Sequence, residues 1–230
     1  MPRRGEAQDR RVTIIGLGRF GRSVARTLFE LGYEVTAIDR DERQVEEASD
    51  FVALATQGDG SDEELLRSLQ VERSAVAIVA QGSNLESSVL ATLLLKRLGV
   101  PFVVAKANNA LHGEVLRRVG ADRVIFPERD AGVRLAHTMA VPHVDDYISL
   151  SPTSGIAKFT APPNLVGRTL ADVHAMCGAQ LSVLALKRDR LLTVTPSLDE
   201  RIQEGDDIVV IGSDESIEKF VESGLAEPRA

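Results

Sequence analysis

One cysteine, Cys177, stands among the 230 residues, which excludes an intramolecular disulfide and fits a reducing compartment. No apolar run approaches the ~18 residues that a membrane-spanning helix needs. The longest, 89–95, is far too short. Residues 1–9 are polar and partly basic, without the apolar stretch of a secretory signal. The expectation is a cytoplasmic protein with a disordered tail over 1–10. Basic charge is also short: 27 Lys and Arg face 34 Asp and Glu, for a net charge of −7, which argues against a nucleic-acid partner. The four histidines, His112, His137, His143 and His174, keep no metal-ligand spacing, and no motif surrounds Cys177. Catalysis finds no support in these residues, so the chain does not read as an enzyme.

What the sequence does contain is concentrated near its start. An apolar run at 12–15 meets Gly16-x-Gly18-x-x-Gly21, and Val24, Leu28 and Leu31 then recur at helical spacing. A second apolar run, 35–38, ends on Asp39, eighteen residues after the last glycine. Each part has a physical role in a Rossmann nucleotide-binding unit. Gly16 permits a tight turn, Gly18 lets a phosphate approach bare backbone, and Gly21 lets the helix pack close to the strand. The free N–H groups and dipole at the helix start attract phosphate, and Asp39 can accept hydrogen bonds from ribose hydroxyls.

Strands and helices alternate from 11 to 126. Further strands are expected at 51–55, 75–80, 102–105 and 123–126. Helices are expected near 41–49, from a Ser61 cap through 69, over 85–98 with Gly99 as the stop, and up to 119. Such alternation predicts a mostly parallel, doubly wound sheet covered on both faces, an α/β fold. Pro127-Glu128-Arg129-Asp130 breaks the rhythm, with a helix then expected over 130–140 and a linker around Pro142 as far as 146. The rest reads as a small α+β domain over 146–224, with a tail at 225–230. Its expected strands are 156–160, 182–187, 191–195 and 207–211, and its helices 169–176 and 214–222. No internal repeat is found.

Three side chains beyond the glycines carry chemical information. Arg19 lies between the second and third glycines, where its guanidinium could meet phosphate oxygens bidentately. A cation at a helix start opposes the macrodipole by ~0.3–1 kcal/mol, so an anion is expected beside it. Arg40 would suit a 2′-phosphate, but Asp39 at the strand end disfavours NADP. Asp59 follows the third strand and projects from the carboxyl edge of the sheet, where open α/β folds bind ligands.

Together Val12-Thr13-Ile14-Ile15-Gly16-Leu17-Gly18-Arg19-Phe20-Gly21, Asp39, Gly58-Asp59-Gly60, Ala105-Lys106-Ala107 and the stretch from Gly120 to Asp130 resemble the RCK (KTN) family. Within it they are most similar to cytosolic subunits of bacterial Ktr potassium uptake systems, relatives of TrkA. The resemblance implies a Rossmann RCK N-terminal domain (11–126), a crossover helix and linker (127–145) and an RCK C-terminal domain. It also implies a homodimer assembling to an octameric ring under a membrane-embedded potassium channel or transporter subunit. ATP and ADP would compete for the Rossmann site, with NAD(H) as the alternative ligand. Arg19 matches the arginine that reaches the terminal phosphate across the dimer. Glu128 matches the acid beside it, where a divalent cation or Na+ is bound. Cyclic di-AMP binds the C-terminal domain in the family, but His174 stands where near relatives carry arginine, which argues against it here. The candidate cofactor-binding set is Gly16, Gly18, Arg19, Phe20, Gly21, Asp39, Arg40, Asp59, Asn84, Lys106 and Glu128, with Glu128 also the candidate metal contact. An NAD-dependent oxidoreductase is the competing class, and an adaptor with a purely structural nucleotide is a third.

Overall fold

The computed structural model describes residues 10–82, 84–140, 144–151, 153–177 and 181–225, so the expected N-terminal tail up to 9, the Pro142 linker and His143 lie outside the described residues. The chain divides into two compact units, 1–128 and 129–230.

In the first unit, β1 (Arg11–Ile15), β2 (Glu34–Asp39), β3 (Leu54–Gln57), β4 (Val76–Val79), β5 (Phe102–Lys106) and β6 (Arg123–Ile125) form one sheet. Its order is β3-β2-β1-β4-β5-β6, with every pairing parallel. The crossovers carry α1 (Arg19–Glu30), α2 (Glu42–Ser49), α3 (Glu63–Ser68), α4 (Leu85–Arg97) and α5 (Ala110–Arg118). The two-residue period of a strand sends alternate side chains to opposite faces. Ile14, Val35 and Ala37 therefore pack with Ala25 of α1 and Ala48 of α2. Ile15, Ile38 and Val79 pack on the other face with Leu66, Leu95 and Leu116 of α3, α4 and α5. Both faces are covered, as the near-continuous apolar strands required.

Three local expectations are corrected. The third strand begins at Leu54 rather than at Phe51. Phe51 and Val52 are buried, but the Phe51 amide donates to Ala48 O and closes the end of α2, so their apolarity plugs a turn. The cap of α3 is Asp62, which accepts from the Glu64 and Leu65 amides, while the Ser61 hydroxyl turns to Asp59 instead. The helix expected from 130 is α6 (Pro127–Ala140), which starts three residues earlier. Proline suits a first helical position, where its missing N–H has no intrahelical partner anyway. Glu128 consequently lies in the first turn of α6.

In the second unit, β7 (Asp146–Ser151), β8 (Ser154–Thr160), β9 (Leu181–Arg188), β10 (Leu191–Val194) and β11 (Asp207–Ser213) form an antiparallel sheet of order β10-β9-β11-β8-β7. It packs with α7 (Leu170–Cys177) and α8 (Asp214–Leu225) around Tyr147, Phe159, Val173, Ile208 and Phe220. Strand β7 was not expected from the sequence. It is an edge strand whose Ile148 and Leu150 are exposed, so it lacks the alternation of a half-buried strand.

The described histidines are dispersed. His137 stacks on Tyr147 with ring centroids 4.5 Å apart, and His174 is exposed on α7. His112 is buried: its Nδ1 accepts from the Asn108 amide and its Nε2 meets Ser88 Oγ at 2.9 Å. Among the described residues no group of three His, Cys, Asp or Glu could hold a metal ion.

Burial lowers the His112 pKa below its ordinary 6.5. A histidine whose folded pKa is depressed contributes stability that is complete above the unfolded value and is lost as pH falls through the folded one. The unfolding temperature should therefore drop between pH 7.5 and 5.5. His112→Asn, which can still accept at the Nδ1 position, should drop less over that range in calorimetry. Equal slopes would place the pH sensitivity elsewhere.

Candidate functional site

The order of the sheet reverses between β1 and β4, and the loops leaving their carboxyl ends diverge there. That divergence opens a crevice, the place where open α/β sheets bind ligands. A cleft of about 540 Å³ occupies it. Its lining comes from the β1–α1 turn (Gly16, Gly18, Arg19), the end of β2 and start of α2 (Asp39, Arg40, Asp41, Gln44), the β4–α4 loop (Ala80, Gln81, Gly82, Asn84) and Ser87 of α4.

The three glycines act as their spacing predicts. Gly16 has φ +98°, a conformation that a Cβ opposes. A Cβ on Gly21 would lie 1.8 Å from the Gly16 carbonyl oxygen, so only glycine lets α1 meet β1 this closely. A Cβ on Gly18 would meet nothing within 4 Å. Space is thus left above Gly18, and it faces the start of α1. That helix has no side-chain cap and no acidic residue in its first turn. Its free N–H groups and positive dipole end face the cleft. Arg19 is exposed there, and among the described residues it has no hydrogen bond or ion pair.

Asp39 does more than wait for a ribose. Its Oδ2 accepts from the Leu17 amide at 2.5 Å and its Oδ1 from the Asp41 amide at 2.9 Å. One carboxylate thereby ties the glycine turn to the loop after β2, and each oxygen keeps a lone pair for a further donor. Behind it, Arg40 donates through Nη2 to Asp59 Oδ2 at 2.6 Å and to Ser87 Oγ at 3.0 Å. Burial pushes the Asp59 carboxyl upward, but hydrogen bonds from Ser61 and Arg40 outweigh it and hold the group below the usual range.

The candidates do not all share one surface. Gly16, Gly18, Arg19, Asp39, Arg40 and Asn84 line the cleft, whereas Phe20, Gly21, Asp59, Lys106 and Glu128 do not. Asn84 caps α4 through the Ser87 amide. Lys106 pairs with Glu128 at 2.6 Å, and its ammonium lies 5.8 Å from the Phe20 ring centroid. The Lys106 hydrogen bond is the chief cause that holds the Glu128 carboxyl below its ordinary pKa, and the Arg19 charge adds to it. Glu128 is therefore a charged group with Lys106 attached and Arg19 within electrostatic reach.

Sequence reasoning missed Gln81 and Gly82. Gln81 Oε1 is buried and, among the described residues, without a partner, and the Gly82 carbonyl accepts from the Asn108 side chain. Their position directly after β4 is the signal that would have found them, because β4 is the strand across the reversal. Open backbone at Gly18, an uncapped helix start and an arginine unpaired among the described residues form a donor set that fits a phosphorylated nucleotide, while the orphaned Gln81 oxygen can only accept. Asp39 at the strand end fits its sugar.

The sequence matches the TrkA-N domain over residues 12–127 and the TrkA-C domain over 156–223. It is 38% identical to the Ktr system potassium uptake protein C of Bacillus subtilis, across 90% of this chain and 94% of that protein. It is 34% identical to the Ktr system potassium uptake protein A of Vibrio alginolyticus, across 94% and 98%. The fold is shared with the RCK domain of GsuK at a TM-score of 0.64 and 19% identity, over all of this chain and 50% of that one. The NAD-bound GsuK channel gives 0.61 at 18% identity, over 100% of this chain and 41% of that one. The chain belongs to the RCK family built from TrkA-N and TrkA-C domains.

Proposed function

We propose that this protein is a nucleotide-sensing regulatory subunit that gates a membrane-embedded potassium channel or transporter of the Ktr or Trk type. One observation carries the reading: an uncapped helix start over open backbone at Gly18, with unpaired Arg19 at its mouth. The names of the relatives, potassium uptake proteins matched over nearly their whole length, supply the process. In this reading the site binds rather than reacts, which accords with the regulatory process that the relatives' names supply. The working form is a homodimer assembled to an octameric ring in the cytoplasm, held at the inner membrane face by its channel partner. Domain limits at 11–126, 127–145 and 146–224 are part of the same proposal.

In this reading the ligand is ATP or ADP. The N–H groups of the Gly18–α1 turn hold phosphate, Asp39 holds the ribose, and Arg40, Asp59 and Asn84 form the far wall. Phe20 and Gly21 set the turn, and Lys106 and Glu128 stand beyond the cleft lining near Arg19. ATP and ADP share everything but the third phosphate, so only groups that touch it can favour one conformation over another. Arg19 does so by charge pairing. Glu128 does so through a shared divalent cation or Na+, since a carboxylate beside a triphosphate needs a cation between them. NAD(H) is the second ligand to test, because the GsuK channel that shares this fold is bound to NAD.

Paired calorimetric titrations test the reading. Wild type should bind ATP and ADP. Arg19→Ala should keep most ADP affinity and lose the preference for ATP, a coupling of ~1–3 kcal/mol. Glu128→Gln should lose the divalent-cation enhancement of ATP binding alone. Small-angle scattering should show an ATP-specific change of shape in wild type and none in Arg19→Ala. If Arg19→Ala weakens both nucleotides equally and still changes shape, the arginine is a general phosphate contact and the switch lies elsewhere.

A further inference from the structure

His112 is buried near the start of α5 and does not line the cleft, yet both of its ring nitrogens are committed. Nε2 lies 2.9 Å from Ser88 Oγ, and that hydroxyl gives its single proton to the Leu85 carbonyl at 2.9 Å. Ser88 can then only accept from the ring, so Nε2 carries the ring proton and Nδ1 is bare. A bare nitrogen is what the Asn108 amide, 3.4 Å away, requires. Only the neutral ring with its proton on Nε2 satisfies all of these groups. An imidazolium would set a second N–H against the Asn108 N–H, two donors with no acceptor between them.

No charge stands by to offset a proton on this ring. Among the described residues it bonds only to Ser88 of α4 and Asn108 of the loop after β5. The basic groups Lys96, Arg97, Arg117 and Arg118 stand in the last turns of α4 and α5, whereas Ser88 and His112 lie near their starts. Glu86 of α4 and Arg123 of β6 are exposed, Glu114 of α5 pairs with Arg118, and Lys106 at the end of β5 pairs with Glu128. The amide that faces Nδ1 belongs to the residue that holds one wall of the cleft. Asn108 Nδ2 donates to the carbonyl of Gly82, and Gly82 lines the cleft beside Gln81. The loop after β4 therefore rests on Asn108, and Asn108 rests on the neutral form of His112.

We infer that His112 and Asn108 are positioning residues for the β4–α4 wall of the cleft, and that protonation of His112 releases this wall and weakens nucleotide binding as the pH falls. This rests on the nucleotide reading above. The sign follows from the acceptor at Nδ1. Above the histidine's folded pKa the ring accepts from Asn108 and the wall is held. Below it the acceptor is gone, Asn108 moves from the ring, and the Gly82 carbonyl loses its donor.

Calorimetric titration of the full chain with ADP at pH 7.5 and 5.5 tests this, with a melting curve at each pH to show that the chain is folded. A terminal phosphate itself gains a proton in this range, so the measure is the difference between wild type and variant on the same ligand. Between the two pH values wild type should lose about three- to tenfold more affinity than His112→Asn, one proton changing affinity by at most about tenfold per pH unit. Asparagine keeps an acceptor for the Asn108 amide and cannot take the charge. Asn108→Ala removes the Gly82 bond but leaves the amide at Nδ1. It should bind ADP more weakly at pH 7.5 and lose the extra pH dependence of binding, while its Tm still falls with pH as in wild type. A purely structural His112 would leave the pH dependence of binding in Asn108→Ala unchanged, and that result overturns the inference. Equal pH dependence of affinity in wild type and His112→Asn also overturns it. Should wild type bind no ADP even at pH 7.5, the nucleotide reading itself fails, and that is seen before any variant is made.

Discussion

Gly21→Ala is expected to unfold the nucleotide domain at a markedly lower temperature and to abolish ligand binding with it. The added Cβ would sit 1.8 Å from the Gly16 carbonyl oxygen, 3.0 Å from its carbon and 3.1 Å from Ala80 Cβ. Two of those atoms are backbone, so no side-chain rotation relieves the clash. The alternative is to lift α1 from the sheet, which would pull Ala25 out of its packing with Ile14, Val35 and Ala37. Overpacking of this kind costs about 3 kcal/mol or more, which for a chain of this size is roughly 6–12 °C in Tm. Gly18→Ala is the control. Gly18 has φ −60° and ψ −179°, which alanine also adopts, and open space lies above it. Its Tm should stay within a degree or two, while its methyl group occupies the approach to the helix start and weakens ATP and ADP at least about tenfold. Calorimetric melting and titration of the two variants separate the fold from the site. A Gly18→Ala protein that binds like wild type would remove the phosphate from this turn.

The second large effect is at Asp39. Its carboxylate holds the Leu17 and Asp41 amides, and Leu17 is fully buried. Asp39→Ala therefore removes a ribose acceptor and releases the glycine turn in one step. A charge-assisted hydrogen bond contributes about 1.5–3 kcal/mol, so ten- to a hundred-fold loss of nucleotide affinity follows from the ribose alone. The freed Leu17 amide makes the loss larger. Asp39→Asn distinguishes the two roles. An asparagine carbonyl can still serve a ribose hydroxyl, but its amide end would turn a donor towards one of two backbone donors. If Asp39 also organises the turn, Asn should bind almost as poorly as Ala, and hydrogen exchange at Leu17 should speed up in both. Near-normal affinity in Asp39→Asn would confine the residue to sugar binding.

Several local features needed coordinates because the sequence offers the same signal for different structures. Phe51 and Val52 are apolar whether they lie in a strand or plug the end of α2. Ser61 and Asp62 are both good caps, and the choice fell to Asp62 because Ser61 is engaged by Asp59. Edge strand β7 shows outward Ile148 and Leu150, which erase its periodicity. Gln81 carries no motif at all.

What the sequence alone determined is the Rossmann unit and its glycine turn. Those depend on short-range demands, a positive φ at Gly16, a missing Cβ at Gly21, apolar strands buried on both faces, and each such demand leaves a residue type at a fixed spacing. What only the tertiary structure decided are the pairings between distant positions. Asp39 reaches Leu17 across 22 residues, Lys106 reaches Glu128 across 22, and Arg40 reaches Ser87 across 47. Charged and polar side chains carry no spacing rule over such intervals. Their partners follow from strand order, which brings the ends of β1, β2 and β4 to one crevice and leaves Arg19 there with no hydrogen bond or ion pair among the described residues.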